Sequence, residues 1–266
     1  MKNIKEIILS NSIKRNIVSL LNDGKRSDER EFYEYRKIDV KPNVIDTADG
    51  SAMAKIGDTV VLAGVKFDVV SPFPSDPNLG VFITGAELLP LASTMFEPGP
   101  PDVMSIEFAR VVDRAIRSAE IIDMESLFIE EGKVLGIFLD LYVLNYDGNL
   151  IDAGSLAAIT ALANTKMPKV EDGQIVWGEY EGKLKIDKYP VTTTFAKIDK
   201  HIVLDPSIDE ESAMDCRFSI GTIEGYVTSM QKGGGSGTLT KEDVLKLIDI
   251  SFEKSKELRK HVRVEE

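Results

Sequence analysis

A chain of 266 residues with 43% hydrophobic content is long enough for one large or two small globular units with an ordinary core. Its formal charge of −12 and pI near 4.8 exclude holding nucleic acid by the overall field, so any such contact has to be local. One cysteine, Cys216, and two histidines, His201 and His261, exclude an internal disulfide and the usual zinc ligand sets.

Residues 4–22 place Ile4, Ile7, Ile8, Ile17, Leu20 and Leu21 at helical spacing, and Gly24 supplies a stop. The same opening stretch breaks every apolar run with charge or amide, unlike a secretory leader. From Arg36 to Val70 the pattern turns β-like, with Asp49-Gly50 and Gly57-Asp58 as turn signals, which predicts a hairpin ladder. The proline-rich "SPFPSDPNLG" is a loop before the extended "VFITGAELLPLA". Residues 103–122 predict a helix whose apolar side chains cover about 160°, with Ile106 outside the arc.

"KVLGIFLDLYVLNYDGNLID" reads as a buried strand, an Asp147-Gly148 turn and the entry to an alanine-rich helix over about 153–165. Its apolar run is too short for a membrane span and carries Asp140, so a soluble, cytoplasmic protein without membrane contact is expected. The charged "MPKVEDGQ" reads as an irregular separator. "KLKIDKYPVTTTFAKI", "HIVLDPS" and "CRFSIGTIEGYVTSMQKG" then predict strands, and a final helix carries Thr240 and Asp243 as its cap and Val244, Leu247, Ile248 and Phe252 as its buried stripe. Both halves run strands first and helices after, which points to two α+β subdomains sharing a core.

Four constellations bear on function. "LIDAGSLAAIT" has the look of an anion-holding helix start, with Asp152 as cap, Gly154 for close approach and Ser155 as hydroxyl, yet Leu156 stands where a cation would complete it. "KGGGSG" at 232–237 lacks the Gly-Lys-Ser/Thr ending of a phosphate loop and is read as a strand-to-helix connection. Asp205, Asp209, Glu210, Glu211 and Asp215 are either a divalent-cation cluster or a solvated turn. Arg110, Arg114 and Arg117 share one helical face: they either track a phosphate backbone or pair internally with Glu107 and Asp113. No histidine accompanies a candidate serine, and no carboxylate pair demands acid–base chemistry.

Together "DGKRSDEREFYEYR" at 23–36, "DGSAMAKIGDTVVLAGV" at 49–65, "SIEFARVVDRAIR", "LDLYVLNYDGNLIDAGSLAAITAL" and "LDPSIDEESAMD" resemble the RNase PH-type phosphorolytic exoribonucleases. Within that family the chain is most similar to the non-catalytic RNase PH-like subunits of the archaeal exosome. The resemblance implies an α+β RNase PH-like fold of two βαβ-type halves resembling ribosomal protein S5 domain 2, with mixed sheets and central helices. Its divisions would be an N-terminal helix at 1–24, a first subdomain at 25–168 and a second, with the C-terminal helix, at 169–266. It implies a hexameric ring in which three copies alternate with three of a catalytic RNase PH-like subunit, RNA-binding cap proteins on the ring, and single-stranded RNA degraded from its 3′ end by phosphate.

Active members of the family carry Gly-Ser/Thr-Arg where this chain has Gly154, Ser155 and Leu156, and two aspartates where it has Asp205 and Glu211. The resemblance therefore implies no catalytic residue, no metal and no cofactor here, although glutamate is still able to bind Mg²⁺. It also implies that Arg110 and Arg114 contact RNA phosphates, with less support for Arg117; a self-sufficient phosphate-dependent 3′–5′ exoribonuclease is the alternative.

Overall fold

The computed structural model describes residues 4–262 and 264, with side-chain surroundings from Ser12 onward. Helix α1 (Ile4–Asn22) leads into strands β1 (Ile38–Pro42), β2 (Gly50–Ile56), β3 (Thr59–Val70) and β4 (Val81–Leu88). Helix α2 (Val103–Arg117) follows, then a short β5 (Phe128–Glu130), β6 (Lys133–Asn145) and helix α3 (Leu150–Ala163). A hairpin of β7 (Lys166–Glu171) and β8 (Gln174–Lys183) precedes β9 (Val191–Ile198), β10 (His201–Leu204), α4 (Ile208–Ala213), β11 (Cys216–Ile223), β12 (Tyr226–Gly233) and α5 (Lys241–Arg259).

The first half is a mixed sheet in the order β1-β2-β3-β6-β4, with β5 also on β6. Its one parallel pair, β4 with β6, is joined through α2 and makes the βαβ unit. The second half is a four-stranded sheet, β10-β9-β11-β12, antiparallel at every neighbouring pair. There β10 and β11 run the same way on either side of β9 and are joined through α4, so the second βαβ unit is a split one.

Between the two sheets lies α3, packed on β2 and β3 on one side and β9 on the other. All of its residues are buried, as a helix apolar all round requires. The second half adds α5 on β9 and β11. Its predicted cap is present: Thr240 Oγ1 accepts from the Asp243 N–H, and the Asp243 carboxylate accepts from the Thr240 N–H. Of the predicted stripe Leu247 is fully buried and Val244, Ile248 and Phe252 partly so. Among the described residues no helix is long and apolar enough to cross a membrane.

Four local expectations are corrected. Helix α2 ends at Arg117, five residues early, because Glu120 takes the left-handed φ of 49° and turns Ile121 into the core. Helix α3 begins at Leu150: Gly148 and Asn149 both have positive φ, which spends the turn in two residues. Asp49-Gly50 is no hairpin turn; Gly50 opens β2, where a Cβ would stand 2.2 Å from Thr165 Oγ1. "MPKVEDGQ" is part of a real hairpin, turned by Asp172-Gly173 with both φ positive, the geometry that Asp-Gly favours.

Candidate nucleic-acid interface

Helix α2 starts on Asp102, whose Oδ1 accepts the Ser105 N–H at 2.8 Å. Phe108, Val111, Val112, Ala115 and Ile116 bury one face against β4 and α3. The 3.6-residue period therefore turns Arg110, Arg114 and Arg117 outward.

The three arginines do not share one fate. Glu107, the expected partner of Arg110, is taken by residues of the other half: Arg217 Nη2 donates to its Oε1 at 2.7 Å and Gln231 Nε2 at 3.0 Å. Arg110 and Arg114 are exposed, and their side chains make no hydrogen bond or ion pair among the described residues. Arg117, by contrast, pairs with Asp113 through Nε at 3.1 Å and Nη2 at 2.9 Å, and donates from Nη2 to the Phe82 carbonyl at 2.8 Å. Internal pairing thus describes Arg117 and fails for the other two, which present whole guanidinium forks to solvent beside each other on one face. Such groups match phosphate oxygens in geometry and charge.

The helix start that resembled an anion site is filled from within. Asp152 is no cap but lies in the first turn of α3, fully buried, and its Oδ2 accepts from Tyr35 Oη at 2.8 Å, the Thr194 N–H at 2.9 Å and Asn149 Nδ2 at 3.0 Å. Burial outweighs those hydrogen bonds and raises its pKa to about 7. Gly154 serves packing, since a Cβ there would stand 2.3 Å from Phe108 Cζ. Ser155 is buried on Thr192, and Leu156 is a fully buried core residue. An external phosphate would meet a carboxyl group and a hydrophobic core at this place.

The acidic group is dispersed too. Glu210 is buried on Arg26, which donates from Nε at 2.8 Å and Nη2 at 2.6 Å. Asp205, also buried, holds Arg30 Nη1 at 3.0 Å, Arg36 Nε and Nη2 at 2.9 and 2.8 Å, and Asn149 Nδ2 at 2.7 Å. Burial pushes the Asp205 carboxyl up, but the hydrogen bonds and charge of Arg36 prevail and hold it below its ordinary range. Glu211 accepts from Tyr146 Oη and the Asn149 N–H, and burial raises it. Asp215 pairs with Lys14, and Asp209 alone is exposed. Both oxygens of Asp205 are already committed to cationic and amide donors, so the Asp205/Glu211 pair does not fit a divalent cation.

The arginines of "DGKRSDEREFYEYR", in sequence only part of a signature, form a clamp in the structure. Arg26, Arg30 and Arg36 tie this segment to Asp205 and Glu210 of the second half, and Arg36 Nη2 also donates to the Gly148 carbonyl at 3.2 Å before α3. No net charge signals this pairing, because five acidic residues accompany the four basic ones within 23–36.

Comparison with known proteins agrees with this architecture. Residues 34–168 match the 3′ exoribonuclease family, domain 1, and residues 188–254 match its domain 2. The Exosome complex component Rrp42 of Thermococcus gammatolerans is 47% identical over 95% of this chain and 94% of its own length. A solved structure described as the Archaeoglobus fulgidus exosome with RNA bound to the active site contains a chain 44% identical, with a TM-score of 0.89 over 96% of this chain and 100% of that one. A chain of an archaeal exosome core is 41% identical, with a TM-score of 0.84 over 96% of this chain and 98% of that one. With both domains matched in order and the two-sheet fold around α3 in place, the chain belongs to the 3′ exoribonuclease, or RNase PH, family.

Proposed function

We propose that this chain is a non-catalytic, RNA-binding subunit of an exosome ring in the cytoplasm, built as a trimer of heterodimers with a catalytic RNase PH-like subunit and carrying RNA-binding cap proteins. Arg110 and Arg114 hold phosphates of single-stranded RNA and present the strand to the partner's active site, which degrades it from the 3′ end with phosphate. The observation that carries this reading is that the side chains of Arg110 and Arg114 stand exposed and unpaired on α2 while the two carboxylates of that helix are taken elsewhere, Glu107 by Arg217 and Asp113 by Arg117.

The place of catalysis in active relatives supports the non-catalytic part. Leu156 stands in the core where they carry the phosphate-binding arginine, and Asp205 is engaged by two arginines. An uncharged, inward-facing side chain offers no stabilisation to an attacking phosphate or to charge developing in the transition state.

The test is phosphate-dependent shortening of a 5′-labelled single-stranded RNA. The chain alone should be silent and the ring assembled with the catalytic subunit active; robust shortening by the chain alone would instead establish the self-sufficient enzyme. In the assembled ring, changing Arg110 and Arg114 to Glu should weaken RNA binding by roughly tenfold per arginine, the worth of one charge-assisted contact. An intact double-variant ring with undiminished RNA affinity would remove both residues from the interface.

A further inference from the structure

Arg117 differs from its neighbours in a way that suits a different part of a nucleotide. Its guanidinium lies over the Phe82 ring, 5.4 Å from the centroid, and is held there by Asp113 and the Phe82 carbonyl. Two of its three nitrogens are engaged, and Asp113 balances its charge. As a phosphate ligand it is therefore spent, apart from Nη1. Its side chain is nonetheless 53% exposed. What it offers is a flat, rigidly oriented π surface.

Beside this surface is an apolar recess of about 100 Å³, lined by Phe82, Ile116, Ile121, Ile122 and Met124, with Glu120 at its rim. A carboxylate at the rim repels a phosphate but tolerates an uncharged ring. The recess lies one helical turn beyond Arg114, and Arg110, Arg114 and Arg117 span about 10 Å of axis at 1.5 Å per residue, a step in scale with neighbouring nucleotides. Single-stranded RNA is characteristically bound with its phosphates on cations and its bases stacked on aromatic or guanidinium planes.

Resting on the RNA-binding reading above, we infer that Arg117 and this recess form a base-stacking platform, where a nucleobase of the strand held by Arg110 and Arg114 stacks on the guanidinium. The platform is sequence-tolerant, because every base has a π face. Arg117 positions RNA by its plane and not by its charge.

The experiment uses the ring assembled with the catalytic subunit and measures binding of single-stranded RNA, intact or with one abasic nucleotide moved along the strand. Arg117→Lys keeps the charge and removes the plane. It should weaken intact RNA by about five- to tenfold, in the range of one lost stack, leave the salt dependence unchanged, and make no further difference on the RNA whose abasic position faces the platform. Ile122→Asn, which puts an uncharged polar group into the recess without touching Arg117, should reproduce the pattern. Unchanged affinity for both variants would overturn the platform, as would a loss of equal size on every abasic RNA or a salt slope reduced by about one, the mark of a phosphate contact. Impaired ring assembly with unaltered RNA affinity per ring would reassign the recess to a protein contact. The Arg110/Arg114 double variant in the same assay separates the two failures: if it binds as tightly as the parent, the RNA face itself is wrong; if it is weakened while Arg117→Lys is not, only the platform falls.

Discussion

Arg36 grips Asp205 from a distance of 169 residues along the chain, with Nε on one carboxylate oxygen at 2.9 Å and Nη2 on the other at 2.8 Å, while its own backbone N–H donates to the same group at 2.9 Å. Gly57 makes the reach possible, because a Cβ there would lie 2.4 Å from Arg36 Cδ. With side chains only 9% and 0% exposed, the pair is costly to break from one side. Asp205→Ala should destabilise the protein by about 3–5 kcal/mol in urea unfolding, the range for an uncompensated buried charge, and Asp205→Asn by less. Magnesium at millimolar concentration should leave the melting temperature of the parent unchanged; a clear rise would reinstate a cation at this carboxylate.

Stability should fall toward both ends of the acidic range, for opposite reasons. Asp205 has its folded pKa lowered, so its contribution is full above the ordinary aspartate value and is lost as pH falls below it. Asp152 has its folded pKa raised from 3.8 to about 7. The folded state then binds the extra proton, so its contribution is present below the unfolded value and is lost as pH rises through about 7. Asp152→Asn, which mimics the neutral carboxyl, should flatten unfolding free energy between pH 4 and 7 by roughly 2–4 kcal/mol. An unchanged slope in this variant would show that Asp152 is ionised in the fold.

The contact of Gly154 with Phe108 fixes how closely α2 lies on α3. Gly154→Ala should cost about 1–3 kcal/mol by overpacking and displace the helix that carries Arg110 and Arg114. Shortening the opposing ring in Gly154→Ala/Phe108→Leu should recover part of the loss, and a double-mutant cycle with no coupling energy would place the strain elsewhere.

On the proposed non-catalytic reading, placing at position 156 the arginine that the resemblance assigns to active members should not confer phosphorolysis. Leu156 is fully buried, so Leu156→Arg places a charge in the core without a partner and should lower the unfolding free energy by several kcal/mol. Phosphorolysis by this variant alone would mean that the helix start opens toward solvent.

The sequence patterns that rest on one element were the legible ones: the outward face of α2, the all-apolar α3 and the Thr240/Asp243 cap can each be read from period and spacing. What escaped depends on residues far apart. Whether Glu107 neutralises Arg110 is decided by Arg217 and Gln231, brought in by the second sheet. Asp152 looked like a cap because Asp before an apolar run usually is one; its partners Tyr35 and Thr194 come from outside the helix. The β7–β8 hairpin was missed although Asp172-Gly173 is a strong turn signal, since Lys169, Glu171 and Glu179 fill it with charge and its strands are largely exposed.

The arginine clamp also dictates an order of events during synthesis. Arg26, Arg30 and Arg36 leave the ribosome early, whereas Asp205 and Glu210 follow some 170–185 residues later. At about 5–20 residues per second the guanidiniums wait roughly 10–35 s for these acceptors, so the clamp stays open through most of translation even though Tyr35 and Arg36 meet Asp152 and Gly148 sooner, and nascent chains stalled before Asp205 should be cut by protease around Arg26 and Arg30.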